Sequence, residues 1–276
     1  MGTQQRTRPP IFTINQQSPL ARGLAFAGLA CGPGAGLFQD ASLNRNDGTL
    51  ANMDPATDWV WAEELGRWAL DYDGSNDYVS IANMDTIVDA VQYQLLGTVS
   101  LWFRTSDNSQ ATQGAASLAA DLTDGAPAWL IQINSGNLRT FTSGDIYWHS
   151  HAIANNTWYH YALTCDGTTY RLYYNGVAQS PRAKTAYTCH HGLVILGNGY
   201  NGYAVCQIAD PIAWSRVLSP SEIAALADPS NVMLRCGGSA LIREPRPLRS
   251  FIGQVGGAPP AGTPWLYCRR SARIVA

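Results

Sequence analysis

Three aspartates, Asp71, Asp73 and Asp77, crowd around Gly74 in the stretch ALDYDGSNDYVSI (69–81). Carboxylates around a glycine are the chemistry of a calcium loop. The spacing rejects an EF-hand: counted from Asp71, the glycine falls at position 4 rather than 6, and Ala82 stands at position 12, where a bidentate glutamate is required. The stretch reads instead as two short strands with DGSN as the turn between them. Paired carboxylates for glycoside hydrolysis must sit roughly 5–10 Å apart across a sugar bond. The chain has four glutamates, 63, 64, 222 and 244. Glu63 and Glu64 are adjacent and diverge on a strand, Glu222 falls at a helix start, and Glu244 lies in a Pro/Arg-rich tail, so no glutamate pair fits. His149 and His151 flank Ser150 and share one strand face, without a visible third metal ligand. LGNGYNG (196–202) is rich in glycine but lacks the lysine and following helix of a phosphate loop. No Gly-x-Ser-x-Gly elbow and no cysteine spacing for zinc is present. The chain reads as a non-enzyme.

The 276 residues suffice for one large domain, and 46% hydrophobic with 14% charged residues excludes a disordered chain. The formal charge of −2 hides a split. Residues 231–276 carry seven arginines against Glu244, or +6, residues 1–22 carry three arginines and no acid, or +3, and the body between them is left with −11. Such a split points to partners for the two ends. Proline and aromatic residues interrupt the arginines, so the tail has no dense run for nucleic acid. No run of about 18 apolar residues is present to span a membrane, and the N-terminal MGTQQRTRPPIF lacks the apolar core of a signal peptide. Six cysteines (31, 165, 189, 206, 236 and 268) are expected as free thiols in the body, with Cys236 and Cys268 as candidates for links between subunits.

The organisation follows from turn chemistry. Residues 1–22 read as an N-terminal arm broken by Pro9, Pro10 and Pro19; 23–230 as a chain of short strands; and 231–276 as a Pro/Arg-rich C-terminal arm. TWYHYALTCDGTTYRLYYNGVAQS (157–180) carries Asp166-Gly167 and Asn175-Gly176, which predict a three-strand meander with Leu172 and Tyr174 matched to the Tyr161, Leu163, Cys165 face. APAWLIQINSGNLRTFTS (126–143) predicts two strands joined at NSGN. LSPSEIAALAD (218–228) is the one helix, with Ser219 as N-cap, Pro220 in the first turn and Glu222 completing a capping box.

WALDYDGSNDYVSI, TVSLWFRTS, WYHYALTCDGTTYRLYYNGV and IADPIAWSRVLSPSEIAAL occur in that order, after ASLNRNDGTL (41–50). Together they resemble the laminin-G-like jelly rolls of the concanavalin A-like lectin/glucanase superfamily, as found in phage virion proteins, over about residues 23–230. The resemblance implies an all-β, two-sheet antiparallel jelly-roll sandwich with one short C-terminal helix and extended arms. It also implies that DGSN is a hairpin. Two departures stand out: Ala209-Asp210 where relatives often have an acidic pair, and Pro211 where a strand residue is usual, so the strand there must be an edge or bulged.

The same resemblance implies sites. One calcium would take Asp40, Asp210 and Asp71 as oxygen ligands. A cell-surface glycan would meet aromatic platforms, for which Trp59, Trp61, Trp148, Tyr200 and Tyr203 are the candidates. Laminin-G-like modules recur in head-decoration and tail-fibre proteins, which implies a structural or adhesive role on a bacteriophage particle. The arms would mediate homo-oligomer formation or attachment to a capsid or tail protein. A secreted bacterial lectin-like adhesin is the alternative, and a glycoside hydrolase a third reading.

Overall fold

The computed structural model describes residues 14–28, 32, 36–82, 84, 87, 95–110, 113–119, 129–142, 145–184, 193–199 and 202–230. The arm segments 1–13 and 231–276 therefore lie outside the described residues. The strands in chain order are β1 Leu24–Ala27, β2 Thr49–Ala51, β3 Trp59–Ala62, β4 Arg67–Asp73, β5 Tyr78–Ile81, β6 Gly97–Arg104, β7 Gln113–Ala119, β8 Trp129–Asn134 and β9 Asn137–Thr142. They continue as β10 Asp145–Ala152, β11 Tyr159–Cys165, β12 Thr169–Tyr174, β13 Val177–Ala178, β14 Arg182–Ala183, β15 Leu193–Leu196, β16 Asn198–Gly199, β17 Gly202–Tyr203 and β18 Val205–Trp214. A helix, α1, follows at Pro220–Leu226.

Two sheets form. The first runs β13-β12-β11-β6-β18-β4-β3, with β1 on β18 and β14 on β12. The second runs β10-β9-β8-β7-β15-β5-β2, with β17 joining β7 in parallel. Alternation decides which side chains meet between them. Leu101, Phe103, Leu163, Leu172, Val79, Ile81, Ile131 and Ile133 are all buried in one cluster, the jelly-roll core. The meander appears in the expected register, with Tyr161 opposite Tyr174 and Leu163 opposite Leu172. Asn175 and Gly176 both take positive φ, 49° and 77°, the conformation a two-residue hairpin turn requires.

The DGSN turn is a turn but not a hairpin. β4 pairs with β3 and β18, whereas β5 pairs with β2 and β15, so the turn carries the chain from one sheet to the other. Asp73 holds it by accepting from the Ser75 and Asn76 amides at 2.7 and 3.4 Å. Gly74 takes φ +77°, and a Cβ there would strike Val205.

Pro211 lies in a central strand and is accommodated by a bulge. The register of β18 against β6 shifts between Ala209 and Ile212. On the other side of β18, residues 205–208 pair with β4 and residues 212–214 with β1. The proline that cannot donate thus sits where the strand changes neighbour, with Asp210 at φ 44° beside it.

The outer face of the first sheet is covered too. Ile14, Leu20, Ala162, Tyr173, Trp214, Leu218 and Ile223 form a second buried cluster. This departs from an arm spanning 1–22: residues 14–22 pack onto the body, because Leu20 and Ile14 supply apolar surface that the sheet and α1 bury. The Trp214 indole N–H donates to the Leu20 carbonyl at 2.7 Å and fixes the segment there. The capping box of α1 is complete: the Glu222 amide donates to Ser219 Oγ, and the Ser219 amide donates to Glu222 Oε2. Cys165 and Cys206 are buried and form no disulfide among the described residues; the other four cysteines lie outside the described residues.

Candidate functional site

The three acids expected at a calcium site go to three different tasks. Asp40 is fully buried. Its Oδ1 accepts from the amides of Ala27 and Ser42 at 2.9 and 2.8 Å, and its Oδ2 from Ser42 Oγ and the Asn46 amide at 2.7 and 2.9 Å. It organises the 40–46 loop. Asp210 lies 2.6 Å from Arg67 Nη1 in a buried ion pair. Asp71 is on β4, where burial raises its carboxyl above the usual range, a Gln207 hydrogen bond opposes that, and repulsion from Asp58 adds to it. Among the described residues no group of three histidine, cysteine, aspartate or glutamate side chains could hold a metal ion.

The aromatic candidates also separate. Trp59 is a core residue, 4% exposed and stacked on Phe38 at 6.2 Å between ring centres, so it presents no platform to a ligand. Its position on β3, opposite Leu70, points it between the sheets. Trp61 is half-buried, edge-on to Trp68 at 5.5 Å. Tyr203 is half-buried against Tyr78 at 6.4 Å. The Trp148 side chain and Tyr200 lie outside the described residues.

His149 and His151 close one open edge of the sandwich. Their rings stack at 5.9 Å, His151 lies flat on Tyr174 at 4.2 Å, and Tyr174 stacks on Tyr159 at 5.4 Å. The column spans from β10 in one sheet to β11 and β12 in the other. Burial, and secondarily repulsion from His149, lowers the His151 pKa, which favours the neutral form of that ring.

A cleft of about 360 Å³ opens on the outer face of the first sheet, between β11–β12 and the start of α1. Strand alternation builds it: Tyr170 and Leu172 point into the core, so Thr169, Arg171 and Tyr173 point outward. Thr164 joins them from β11, and Val217 and Leu218 wall the other side. Asp166 at the hairpin accepts from Thr168 Oγ1 and from the Thr168 and Thr169 amides at 2.7–2.8 Å, and these bonds hold its carboxyl below the usual range. Glu222 takes both Arg216 Nη atoms, at 3.0 and 2.6 Å. That ion pair, aided by Ser219, pulls its pKa down to about 2. The side chain of Arg171 is exposed and pairs with no carboxylate among the described residues. Sequence reasoning missed this cleft: the alternation marks Arg171 as outward, but only the docking of α1 makes the outward face a cleft.

The sequence pattern of the concanavalin A-like lectin/glucanases superfamily, in its laminin G form, matches residues 73–224, more than half of the chain. The chain belongs to this superfamily. No curated protein matches it in sequence. Among solved structures it is similar to Trypanosoma rangeli sialidase in complex with sialic acid, with TM-score 0.57 and 14% identity over 76% of this chain and 33% of that one. It is similar also to the binding domain of botulinum neurotoxin DC in complex with rat synaptotagmin II, with TM-score 0.57 and 14% identity over 75% of this chain and 52% of that one. The receptor-binding domain of botulinum neurotoxin D gives TM-score 0.56 and 13% identity over 76% and 53%. The chain thus spans a third to about half of these proteins, and at such identity the likeness is one of fold.

Proposed function

We propose that this chain is a non-catalytic recognition and assembly component of a bacteriophage particle, whose jelly roll meets a cell-surface glycan and whose basic ends join copies to one another or to a capsid or tail protein. The observation that carries the non-catalytic reading is the state of the two cleft carboxyls. Two-carboxylate hydrolysis needs one of its acids held protonated near neutral pH. Asp166 and Glu222 are both held in the charged form. The two carboxyls that burial raises lie away from the cleft: Asp77 is 5% exposed and accepts from the Asp73 amide, and Asp71, on β4, is held by Gln207. The fold supports binding, since the structures it is similar to include receptor-binding domains. The −11 body beside +6 and +3 ends supports assembly by charge complementarity between copies.

The test is immunogold labelling of purified particles with antibody to this chain, together with deletion of residues 237–276. Label on particles and a truncated protein that folds but no longer incorporates are expected. Particles without label, or a truncated chain that keeps both its oligomeric state and its incorporation, overturn the assembly reading. Release of sugar from any of a panel of glycans overturns the non-catalytic one.

A further inference from the structure

We propose that the cleft between β11–β12 and α1 binds a neutral sugar, one or two rings in size, through Arg171, Thr164, Thr169 and Asp166, with an apolar ring face resting on Val217. This rests on the glycan-binding part of the function proposed above, and names the site and the class of ligand.

Size comes first. At about 360 Å³ the cleft lies at the small end of ligand sites, which run from roughly 300 to 1,000 Å³. It fits a short saccharide end rather than a folded partner.

Charge selects the class. The walls carry both signs: the Arg171 guanidinium on one strand, and the carboxylates of Asp166 and Glu222 around it, Glu222 balanced by Arg216. An anion would meet two carboxylates, and a cation would meet Arg171. A neutral ligand that both donates and accepts satisfies both. Sugar hydroxyls do this: one can donate to Asp166 while its neighbour accepts from Arg171. Thr164 Oγ1 donates to the Arg171 carbonyl and Thr169 Oγ1 to Thr168 Oγ1, each at 3.4 Å, so both threonines offer the ligand acceptor lone pairs.

The apolar contribution is also present. Val217 is 44% exposed on the cleft wall. Leu96, 37% exposed, lies against the Asp166-Gly167 turn at its border. Exposed aliphatic side chains beside a polar cleft suit the C–H face of a pyranose. The polar floor is rigid, because the hairpin that bears Asp166 is closed by its own three hydrogen bonds, and the α1 wall by the capping box and the Arg216–Glu222 pair. Little ordering is left for the ligand to impose.

The experiment uses the full chain on an array of neutral and anionic glycans, followed by titration of the best binder in low and high salt. Arg171→Ala and Val217→Asp are compared with Trp61→Ala and Tyr203→Ala, each checked for an unchanged melting profile. Arg171 and Val217 are exposed, so their substitution leaves the core intact. A neutral glycan should bind with little salt dependence, and Arg171→Ala should weaken it roughly tenfold or more, the loss expected for hydrogen bonds to a charged donor. Binding that survives both cleft variants and is lost in Trp61→Ala or Tyr203→Ala overturns this site while leaving glycan recognition standing. Binding of anionic glycans alone, lost in Arg171→Ala and in high salt, overturns the neutral class. No binding to any glycan overturns the inference and the glycan part of the proposed function together; particle labelling then still decides the assembly part.

Discussion

Arg67 and Asp210, 143 residues apart in the chain, meet in a buried ion pair at 2.6 Å on the outer face of the first sheet. The same guanidinium donates from Nε to the Leu65 carbonyl at 3.0 Å and from Nη2 to the Pro229 carbonyl at 2.6 Å. One side chain therefore ties the β3–β4 turn, the β18 bulge and the exit of α1 together. A buried pair gains little over an apolar one, but removing one partner strands the other charge. Arg67→Met, which keeps the aliphatic stem, is expected to cost about 3–5 kcal/mol in urea unfolding. Arg67→Met combined with Asp210→Asn should recover part of that loss, because asparagine tolerates the positive φ without a buried charge. Equal loss in the single and the double variant would show that the pair is not the source.

Two groups give the protein acid-sensitive ranges that overlap but are centred differently. His160 is buried, with its Nε2 2.9 Å from Ser100 Oγ. Burial, then the Arg67 charge, depresses its pKa to about 3, with Asp210 opposing. The folded state keeps it neutral while the unfolded chain protonates it near the ordinary histidine value, so stability falls as the pH drops from about 6.5 toward about 3. In Glu222 the depression to about 2 favours the charged form. Its contribution is present above the ordinary glutamate value and is lost as the pH falls from about 4.5 through about 2. His160→Phe should remove about one proton taken up on unfolding at pH 5, where Glu222 contributes little, and should leave only the uptake well below about pH 3 unchanged. Glu222→Gln should change only the lower range. Potentiometric or calorimetric proton uptake on unfolding reads both.

The two tryptophans of β3 should behave differently. Trp59→Ala removes a core ring stacked on Phe38 and is expected to cost about 3–5 kcal/mol. Trp61 is half-buried, and losing its edge contact with Trp68 should cost about 0.5–1.5 kcal/mol beyond its buried area. Equilibrium unfolding of both variants checks this, and a Trp59 variant as stable as the Trp61 one would contradict the core assignment.

Local signals carried the fold. Asn175-Gly176 and Asp166-Gly167 fix a meander because glycine and asparagine accept the turn angles there. Ser219, Pro220 and Glu222 mark a helix start because each satisfies a backbone group or lacks one. Pro211 announced a bulge for the same reason. Long-range placement was not legible in this way. DGSN reads as a hairpin from its residues, and only the pairing of β4 and β5 with different strands makes it a crossing between sheets. Leu20 and Ile14 read as parts of an arm because proline surrounds them, yet the sheet face and α1 needed a cover. Arg171 was visible as an outward residue and nothing more, since a cleft requires two elements distant in sequence to meet.

Asp40 bears on whether calcium belongs to this protein. A calcium ion takes six to eight oxygen ligands and needs carboxylate lone pairs free to face it. Both oxygens of Asp40 are already occupied, each accepting two hydrogen bonds, three of the four from its own loop and one from the Ala27 amide on β1. Asp210 is neutralised by Arg67. Asp71 has Gln207 as its hydrogen-bond donor. An ion at these residues would have to displace the bonds that hold the 40–46 loop and the buried pair. Chelation followed by addition of millimolar calcium should therefore leave the melting temperature unchanged and give no titration heat. Asp40→Ala, by contrast, should lower stability whether or not calcium is present, as it removes the acceptor for four donors. Asp71→Asn should raise the melting temperature slightly, because it relieves a carboxylate that burial and Asp58 disfavour. A calcium-dependent rise in melting temperature that Asp40→Ala and Asp71→Asn both abolish would mean that these acids rearrange to hold the ion after all.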